Sequence, residues 1–261
     1  MNAETLCKAM PGLSRAKAQE YLPLLENAFR EFDITTLPRI QMALAQFGHE
    51  SASLRYLEEI ADGSAYEGRR DLGNTQRGDG RRFKGRGPIQ VTGRANYTRA
   101  GQVLKLPLVA SPQIAAQPKH AFRVSSFWWK DNGLNPISDR RDVLAATRRI
   151  NGGTNGLIDR QARYRRVQSL GRAVLLGAPP PRVLRQGMSG KDVAEVQIYL
   201  LRAGLLQKGN PAKKIPPAID GDFGAKTTAA VKKFQQQAKL RVDGIAGPAT
   251  IKALRDRYRK K

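Results

Sequence analysis

The sequence is poor in the residues that build metal centres and covalent cross-links. Its 261 residues include one cysteine, Cys7, and two histidines. A single cysteine excludes an internal disulfide. So few thiols and imidazoles also disfavour a zinc site or a Cys–His catalytic pair. We therefore predict a protein without a bound metal.

Long apolar segments are missing as well. No run approaches the roughly 18 apolar residues that a membrane-spanning helix needs. Residues 1–8 also lack the apolar region of a secretory signal. We therefore expect the protein to be made in a cytoplasm without a signal peptide, and to depend on another factor for any export.

Acidic residues are scarce relative to basic ones. The chain has 22 Asp and Glu against 46 Lys and Arg, a formal net charge of +24. Residues 182–261 contain 18 basic and 6 acidic residues, so the excess is spread over the chain. A surface of this kind favours an acidic polymer as its partner. Nucleic acid and an anionic cell envelope both fit, and charge alone does not decide between them.

A proline-rich stretch divides the chain. Residues 177–182 read Gly-Ala-Pro-Pro-Pro-Arg, which cannot continue a helix and favours an extended spacer. We predict a first domain over residues 1–175, a linker over 176–182 and a second domain over 183–261. Apolar residues at helical spacing predict a mainly α first domain. Its expected helices span about 21–32 with a start or break at Pro23, 38–50, 120–130, 141–150 and 157–174.

The second domain contains an internal repeat. Residues 220–227 and 243–250 share the pattern D-G-x-x-G-x-x-T, and an amphipathic segment follows each copy. Asp and Gly favour a tight turn before a helix, and a further helix is predicted from about Ser189. This half resembles the three-helix peptidoglycan-binding domain of cell-wall hydrolases. The resemblance assigns Asp220, Phe223 and Asp243 to a wall-binding module.

Acidic residues in the first domain have the pattern of a sugar-cleaving site. Glycosidic cleavage commonly uses one protonated carboxyl as acid and one carboxylate as base. Glu50 ends an apolar predicted helix, a setting that favours the protonated form. Glu58 and Glu59 follow, where the chain enters a long glycine-rich loop over residues 62–87. A loop of this length is often functional.

The segment 79–97 carries the most specific signal. It reads DGRRFKGRGPIQVTGRANY and includes a predicted short strand over residues 89–92. With Gly-His-Glu-Ser at 48–51, it resembles the lysozyme-like branch of glycoside hydrolase family 19. That branch includes phage endolysins and bacterial peptidoglycan hydrolases, and it is related to plant chitinases. The resemblance implies a lysozyme-like α+β fold that is mainly helical, with a small β element.

The same resemblance implies roles for individual residues. Glu50 becomes the catalytic acid and Glu59 the base, with Glu58 and Glu67 as alternatives for the base. Thr92 positions the attacking water. The candidate substrate-binding residues are Gln90, Asn96, Asn151, Arg86 and His49, although a histidine beside a carboxylate is more often structural. Plant members carry an aromatic residue where this chain has Ala95, which weakens the inference of a chitin substrate.

These observations predict an endolysin-like muramidase that works as a monomer without a cofactor. Its partners are bacterial peptidoglycan and the anionic envelope, and nucleic acid is not expected. Its implied route to the wall is release through a holin-like pore. An inverting mechanism implies carboxyl groups about 6.5–9.5 Å apart. The alternatives are a chitinase of the same fold, a non-catalytic basic binding protein, and an amidase or peptidase. The basic tail 255–261 is expected to be a frayed end, and disturbance of an outer membrane is the alternative.

Overall fold

The chain folds into two compact units. The computed structural model describes residues 1–177, 182–207 and 219–258. Its contacts separate residues 1–177 from residues 178–261, and each unit has its own hydrophobic core. The central residues of the predicted linker, 178–181, lie outside the described ranges. Within these ranges, no helix is long and apolar enough to cross a bilayer.

The first unit is mainly helical, as the sequence predicts. Short 3-10 turns at Ser64–Tyr66, Arg70–Leu72, Pro112–Ala116 and Gly171–Val174 join its helices. The α-helices are α1 (Ala3–Ala9), α2 (Arg15–Glu31), α3 (Leu37–Glu50), α4 (Asp79–Arg82), α5 (Arg94–Leu104), α6 (Pro118–Asp131), α7 (Leu134–Asp139), α8 (Val143–Asn151) and α9 (Leu157–Ser169).

Helix α3 lies in the middle of this unit. It packs against α7 and α9, and all its residues from Ile40 to Gly48 are buried. Pro38 lies in its first turn, where a missing backbone N–H costs nothing. Near its other end, the Phe47 ring meets the Phe29 and Trp129 rings edge to face, with centroids 5.9 and 5.8 Å apart. These contacts hold the C-terminal end of α3, which carries Glu50.

The predicted start or break at Pro23 is wrong. Helix α2 runs through this residue without interruption. Proline removes the hydrogen bond to the carbonyl of the residue four positions earlier, here Gln19. Both Pro23 and Gln19 are exposed, so water can satisfy the carbonyl that the proline leaves free. The buried side chains on the other face of α2 hold the helix together.

The predicted strand over residues 89–92 is also wrong as a continuous strand. Gln90 has a φ of 57°, in the left-handed region, and residues 86–91 form a tight hairpin. Arg86 and Val91 exchange both backbone hydrogen bonds, at 3.1 and 2.8 Å. Within residues 1–177, the β structure consists of isolated bridges from Arg86 to Glu58 and to Val91.

The described part of the second unit contains three helices, as predicted. They are α10 (Lys191–Arg202), α11 (Ala225–Gln237) and α12 (Pro248–Tyr258). The N-terminal cap of α10 is Gly190 without a side-chain hydrogen bond, so Ser189 does not cap it. Residues 255–258 of the predicted frayed tail belong to α12, and residues 259–261 lie outside the described ranges.

Two buried glutamines hold the repeated turns of the second unit. Gln197 and Gln235 are each 1% exposed. The Gln235 amide donates to Asp243 Oδ1, the Ile245 carbonyl and Thr250 Oγ1, at 2.8, 2.9 and 3.2 Å. Its oxygen accepts from the backbone N–H groups of Asp243 and Gly244. Gln197 makes the corresponding hydrogen bonds to the first copy of the repeat, with Asp220, Gly221, Asp222 and Thr227 as its partners.

Candidate active site

Glu50 is held at the end of α3 by a buried arginine. Arg160 on α9 is 1% exposed and donates to Glu50 Oε1 and to the Gln46 carboxamide oxygen. The Glu50 side chain is 18% exposed, so it lies at the edge of the core and still meets solvent. The arginine occupies Oε1 and fixes the direction of the carboxyl group, which leaves Oε2 for an exchange of protons.

The chain leaves α3 through a strained turn. Ala52, Ser53 and Leu54 have φ values of 48°, 66° and 61°, all in the left-handed region. Each costs an L-amino acid roughly 1–2 kcal/mol. The hydroxyl of Ser51 offsets part of this cost, because it donates to the Phe47 carbonyl at 2.6 Å and accepts from Leu54 N at 2.8 Å. The turn redirects the chain toward residues 58 and 59.

Glu59 is surrounded by neutral donors. Its Oε1 accepts from the Tyr66 hydroxyl at 2.9 Å, and its Oε2 accepts from the backbone N–H of Gly85 at 3.0 Å. A Cβ atom added to Gly85 would lie 3.2 Å from Glu59 Oε2 and 2.6 Å from Gln90 Oε1. The side chains of Glu59 and Gln90 therefore meet over a glycine that leaves no room for a side chain.

The two alternative bases have structural partners. Glu58 forms an ion pair with Arg86 at 3.0 Å and lies 3.5 Å from Lys84 Nζ. Glu67 accepts from the backbone N–H groups of Gly78 and Gly80 at 2.6 and 2.8 Å, which fastens two parts of the 62–87 loop together. These contacts favour Glu59 over Glu58, because no ion pair within the described residues compensates the negative charge of the Glu59 carboxylate. Glu67 differs from Glu59 in that both of its oxygens accept from backbone N–H groups of the loop.

The Tyr66 hydroxyl lies within the field of both candidate carboxylates. Burial raises the pKa of Tyr66 to about 12. The hydrogen bond to Glu59 and the charges of Glu59 and Glu50 add to this effect. Both carboxyl groups therefore lie within electrostatic range of the Tyr66 hydroxyl. Tyr66 consequently stays un-ionised near neutral pH and acts as a donor.

Three polar candidates lie on the hairpin, directly after it and at the start of α5. Thr92, Gln90 and Asn96 are all half-buried. The Thr92 hydroxyl donates to the Gln90 carbonyl at 2.9 Å, which leaves its oxygen lone pairs able to accept. The Asn96 amide donates to the Thr92 carbonyl at 2.8 Å and the Gln90 amide to the Gly87 carbonyl at 3.1 Å.

Asn151 belongs to a turn that reaches Arg160. The Asn151 amide donates to the Asn155 carbonyl at 2.8 Å, and Arg160 Nε lies 3.4 Å from that same oxygen. The Asn151 side-chain oxygen accepts from Gly153 N at 2.8 Å. Asn151 is exposed, so it combines a structural role in the turn with access to solvent.

His49 and Arg86 have mainly internal contacts. His49 Nδ1 lies 2.7 Å from Asp159 Oδ2, and its ring packs against Gly156, where an added Cβ would lie 2.3 Å from Cε1. Arg86 is 6% exposed and donates to Glu58, to the Arg82 carbonyl and to the Tyr97 hydroxyl. Both residues therefore stabilise the site through contacts within the protein, and sugar binding by His49 or Arg86 stays a prediction.

Two residues that the sequence does not single out contact the candidate carboxyl groups: Arg160 contacts Glu50, and Tyr66 contacts Glu59. Arg160 lies 110 positions from Glu50, within a helix that contains three further arginines. Nothing in the local pattern separates it from its exposed neighbours. Tyr66 lies in the predicted functional loop, but an aromatic residue in such a loop has no distinctive spacing.

The residues assigned to the wall-binding module build its turns. Asp220 Oδ1 accepts from Asp222 N and Asp243 Oδ1 accepts from Ile245 N, at 2.8 and 2.9 Å. These backbone hydrogen bonds are the main reason that the pKa values of Asp220 and Asp243 lie below the usual range. Phe223 is 1% exposed and belongs to the core. The turn prediction is confirmed, and a contact of these residues with wall polymer stays a prediction.

Comparisons with known proteins identify both halves of the chain. Residues 41–147 match the family 19 glycoside hydrolase model described as chitinase class I. Residues 189–254 match the model described as a putative peptidoglycan binding domain. The chain carries a family 19 glycoside hydrolase domain. It is followed by a peptidoglycan-binding domain, so the modular, endolysin-like architecture expected from the sequence is confirmed.

Individual relatives agree with the family 19 domain. An Arabidopsis thaliana protein, endochitinase At2g43620, is 42% identical over 115 residues, which cover 44% of this chain and 39% of the relative. A glycosyl hydrolase family 19 domain-containing protein from Haemophilus influenzae is 31% identical over 107 residues, 41% of this chain and 52% of the relative. The matched residues thus cover 39% and 52% of the length of these two curated relatives.

A solved structure shares the fold of the family 19 domain. Chitinase C from Streptomyces griseus superposes with a TM-score of 0.52 at 24% identity, over 65% of this chain and 76% of the chitinase. This likeness supports the lysozyme-like, mainly helical fold. No cluster of three or more His, Cys, Asp or Glu side chains that could hold a metal ion occurs in the described ranges.

Proposed function

We propose that this protein is a glycosidase that cleaves the glycan strand of bacterial peptidoglycan. The observation that carries the proposal is the presence, on one chain, of a family 19 domain and a peptidoglycan-binding domain. A module that holds an enzyme on a polymer raises the local concentration of its substrate. In this proposal the protein acts as a monomer on the wall, after release through a holin-like route.

The proposed reaction is a single displacement. Glu50 donates a proton from Oε2 to the glycosidic oxygen while Arg160 holds Oε1. As the bond from the anomeric carbon to that oxygen breaks, a water molecule attacks the opposite face of the sugar. Glu59 accepts a proton from this water, and the Thr92 oxygen accepts a hydrogen bond from it. The configuration at the anomeric carbon inverts, and both carboxyl groups then return to their starting states by exchange with solvent.

The charge of the protein favours peptidoglycan over chitin. Three arginines, Arg140, Arg148 and Arg149, line a hollow of about 430 Å³ between α7 and α8. The one carboxylate there, Asp142, caps α8 by accepting from Ala145 N at 2.8 Å. Chitin is uncharged, whereas peptidoglycan carries carboxylates, which guanidinium groups bind well. Ala95 is exposed at the start of α5 and offers no aromatic ring to a chitin chain.

A second candidate function is chitin hydrolysis. It is favoured by the names of the relatives, since both the endochitinase from Arabidopsis thaliana and chitinase C from Streptomyces griseus are chitinases. The same acid and base would serve both reactions, so the difference lies in the groups that surround the scissile bond.

Mass spectrometry of the products from purified peptidoglycan tests the proposal. We expect muropeptides ending in reducing N-acetylmuramic acid, formed with inversion that proton NMR detects at the new anomeric centre. Glu50→Gln and Glu59→Gln should each lower the rate by about 10²–10⁴-fold, the usual range for an acid or base. Glu4→Gln, at an exposed position on α1, is the matched control and should retain full activity.

Other products would change the conclusion in defined ways. Reducing N-acetylglucosamine ends would keep the catalytic residues and assign a different bond. Cleavage of chitin oligomers but not of peptidoglycan would establish the second candidate. Wall clearing that persists in Glu50→Gln would refute the glycosidase mechanism and favour a non-catalytic binding protein.

A further inference from the structure

We propose that Tyr66 is the positioning residue for the catalytic base, holding Glu59 through its phenolic hydroxyl. This inference rests on the proposed function of the family 19 domain. Tyr66 donates to Glu59 Oε1 at 2.9 Å while Gly85 N donates to Oε2 at 3.0 Å. One donor on each oxygen fixes the plane of the carboxylate and leaves a second lone pair on each oxygen for water.

The backbone around Tyr66 is tightly fastened. Its carbonyl accepts from the Asn74 amide at 2.8 Å, and the Asn74 side-chain oxygen accepts from Arg94 N at 2.8 Å. Gly63, with a φ of 85°, lies so close to the α4 region that an added Cβ would be 2.6 Å from the Gly80 carbonyl. The backbone of the 62–87 loop thus holds Tyr66 in a fixed position beside Glu59, and the loop in this way contributes to the reaction.

A neutral donor suits a base better than a charged one. A guanidinium group beside Glu59 would compensate the charge that must attract a proton, as Arg86 compensates Glu58. Burial, with the help of Glu59, raises the pKa of Tyr66 to about 12, so the hydroxyl keeps its proton throughout the pH range of an enzyme assay. Tyr66 therefore orients the carboxylate without neutralising it.

Several charged and titratable groups surround this pair. The ionisation of these groups also affects how kcat depends on pH. A substitution that removes only the Tyr66 hydroxyl is therefore needed to isolate the effect of that hydroxyl. The groups are Glu50, Glu58, Arg69, Lys84, Arg86 and Tyr97.

Kinetics of Tyr66→Phe test the inference. This change removes one oxygen from a half-buried ring and keeps its shape, so the fold should be preserved. We expect kcat on soluble glycan fragments to fall about tenfold, the equivalent of one hydrogen bond to a charged group, with KM unchanged. The acidic limb of the kcat profile should move to higher pH, because the carboxylate loses a donor that stabilises its charge.

A matched control separates position from chemistry. Tyr56 is 47% exposed and lies outside the proposed machinery, so Tyr56→Phe should leave both kcat and the pH profile unchanged. An unchanged kcat and acidic limb in Tyr66→Phe would overturn the inference. A loss expressed only in KM would also overturn it and assign Tyr66 to sugar binding.

A measurement without substrate keeps this inference separate from the proposed function. In protein labelled with ¹³C at Cζ of tyrosine, Tyr66→Phe assigns the Tyr66 signal. Glu59→Gln should then shift this signal and lower the pKa of Tyr66, because the carboxylate contributes to raising it. An unmoved signal would show that the contact is absent in solution. If the native protein cleaves no glycan, the proposed function falls, while the NMR titration still tests the Tyr66–Glu59 contact.

Discussion

Replacing Gln235 by methionine should destabilise the peptidoglycan-binding domain and leave the catalytic residues unchanged. The Gln235 carboxamide has five hydrogen-bond partners inside the domain: its two N–H groups are shared among three acceptors, and its oxygen accepts from two backbone N–H groups. Methionine has a similar length and flexibility but offers neither an N–H donor nor a good acceptor. The backbone N–H groups of Asp243 and Gly244 therefore lose their acceptor.

The size of the effect follows from these bonds. Each contributes about 1 kcal/mol net, and a buried group left without a partner costs about 1–3 kcal/mol. Water can replace part of the loss at the exposed side of the turn, so we expect the free energy of unfolding to fall by about 3–4 kcal/mol. A domain of this size is stable by roughly 5–10 kcal/mol, and the loss corresponds to a melting point lower by at least roughly 12 °C.

Calorimetry of the full chain measures this change, and two activities show its consequence. Gln235→Met should lose sedimentation with purified wall at temperatures above the lowered melting point, while hydrolysis of soluble glycan fragments stays intact. Gln236→Met is the matched control, because the neighbouring Gln236 is exposed. A melting profile of Gln235→Met identical to that of the native protein would refute the structural role of the glutamine.

Two further predictions concern the family 19 domain. Ala52→Gly should raise the free energy of unfolding of this domain by about 0.5–1 kcal/mol, since glycine relieves the left-handed strain at some entropic cost. Ala52→Val should lower the free energy of unfolding. A higher melting point for Ala52→Val than for Ala52→Gly would contradict the strain at this position. The hydrogen bond from Arg94 is the main cause that holds the pKa of Asp79 below its usual value. The stabilisation of the fold by this ion pair is therefore fully present above about pH 4 and is lost as the pH falls through the lowered pKa of Asp79. Asp79→Asn should therefore cost about 2 kcal/mol at pH 7 and progressively less in acid denaturation series.

The features that the sequence predicts best are those that depend on local residue patterns, such as the ends of helices. The bounds of α3 follow from apolar spacing and from Pro38, and the helices after the repeated turns follow from the Asp-Gly pairs. Prediction from sequence pattern fails where one residue adopts an unusual backbone conformation. Residues 89–92 alternate between apolar and polar side chains as a strand does, but the left-handed φ of Gln90 interrupts the strand. Such prediction fails again for Arg160, whose contact with Glu50 depends on how two distant helices pack.

The structure sorts the acidic residues of this region by the partners that they have. Glu58 faces guanidinium and ammonium groups, Glu67 faces backbone N–H groups that it holds together, and Asp79 pairs with Arg94. These contacts tie all three side chains into the structure around the loop, and two of them, Glu58 and Asp79, form ion pairs.

Glu59 differs because a phenol and one backbone N–H hold it in place without balancing its charge. Protonation of Glu59 removes no ion pair from the fold, so the residue can accept a proton during each turnover at little structural cost. A catalytic base changes its charge in every turnover, so its protonation should not disrupt contacts that stabilise the fold. Glu67 and Asp79 meanwhile hold the 62–87 loop, which carries Tyr66, in one conformation.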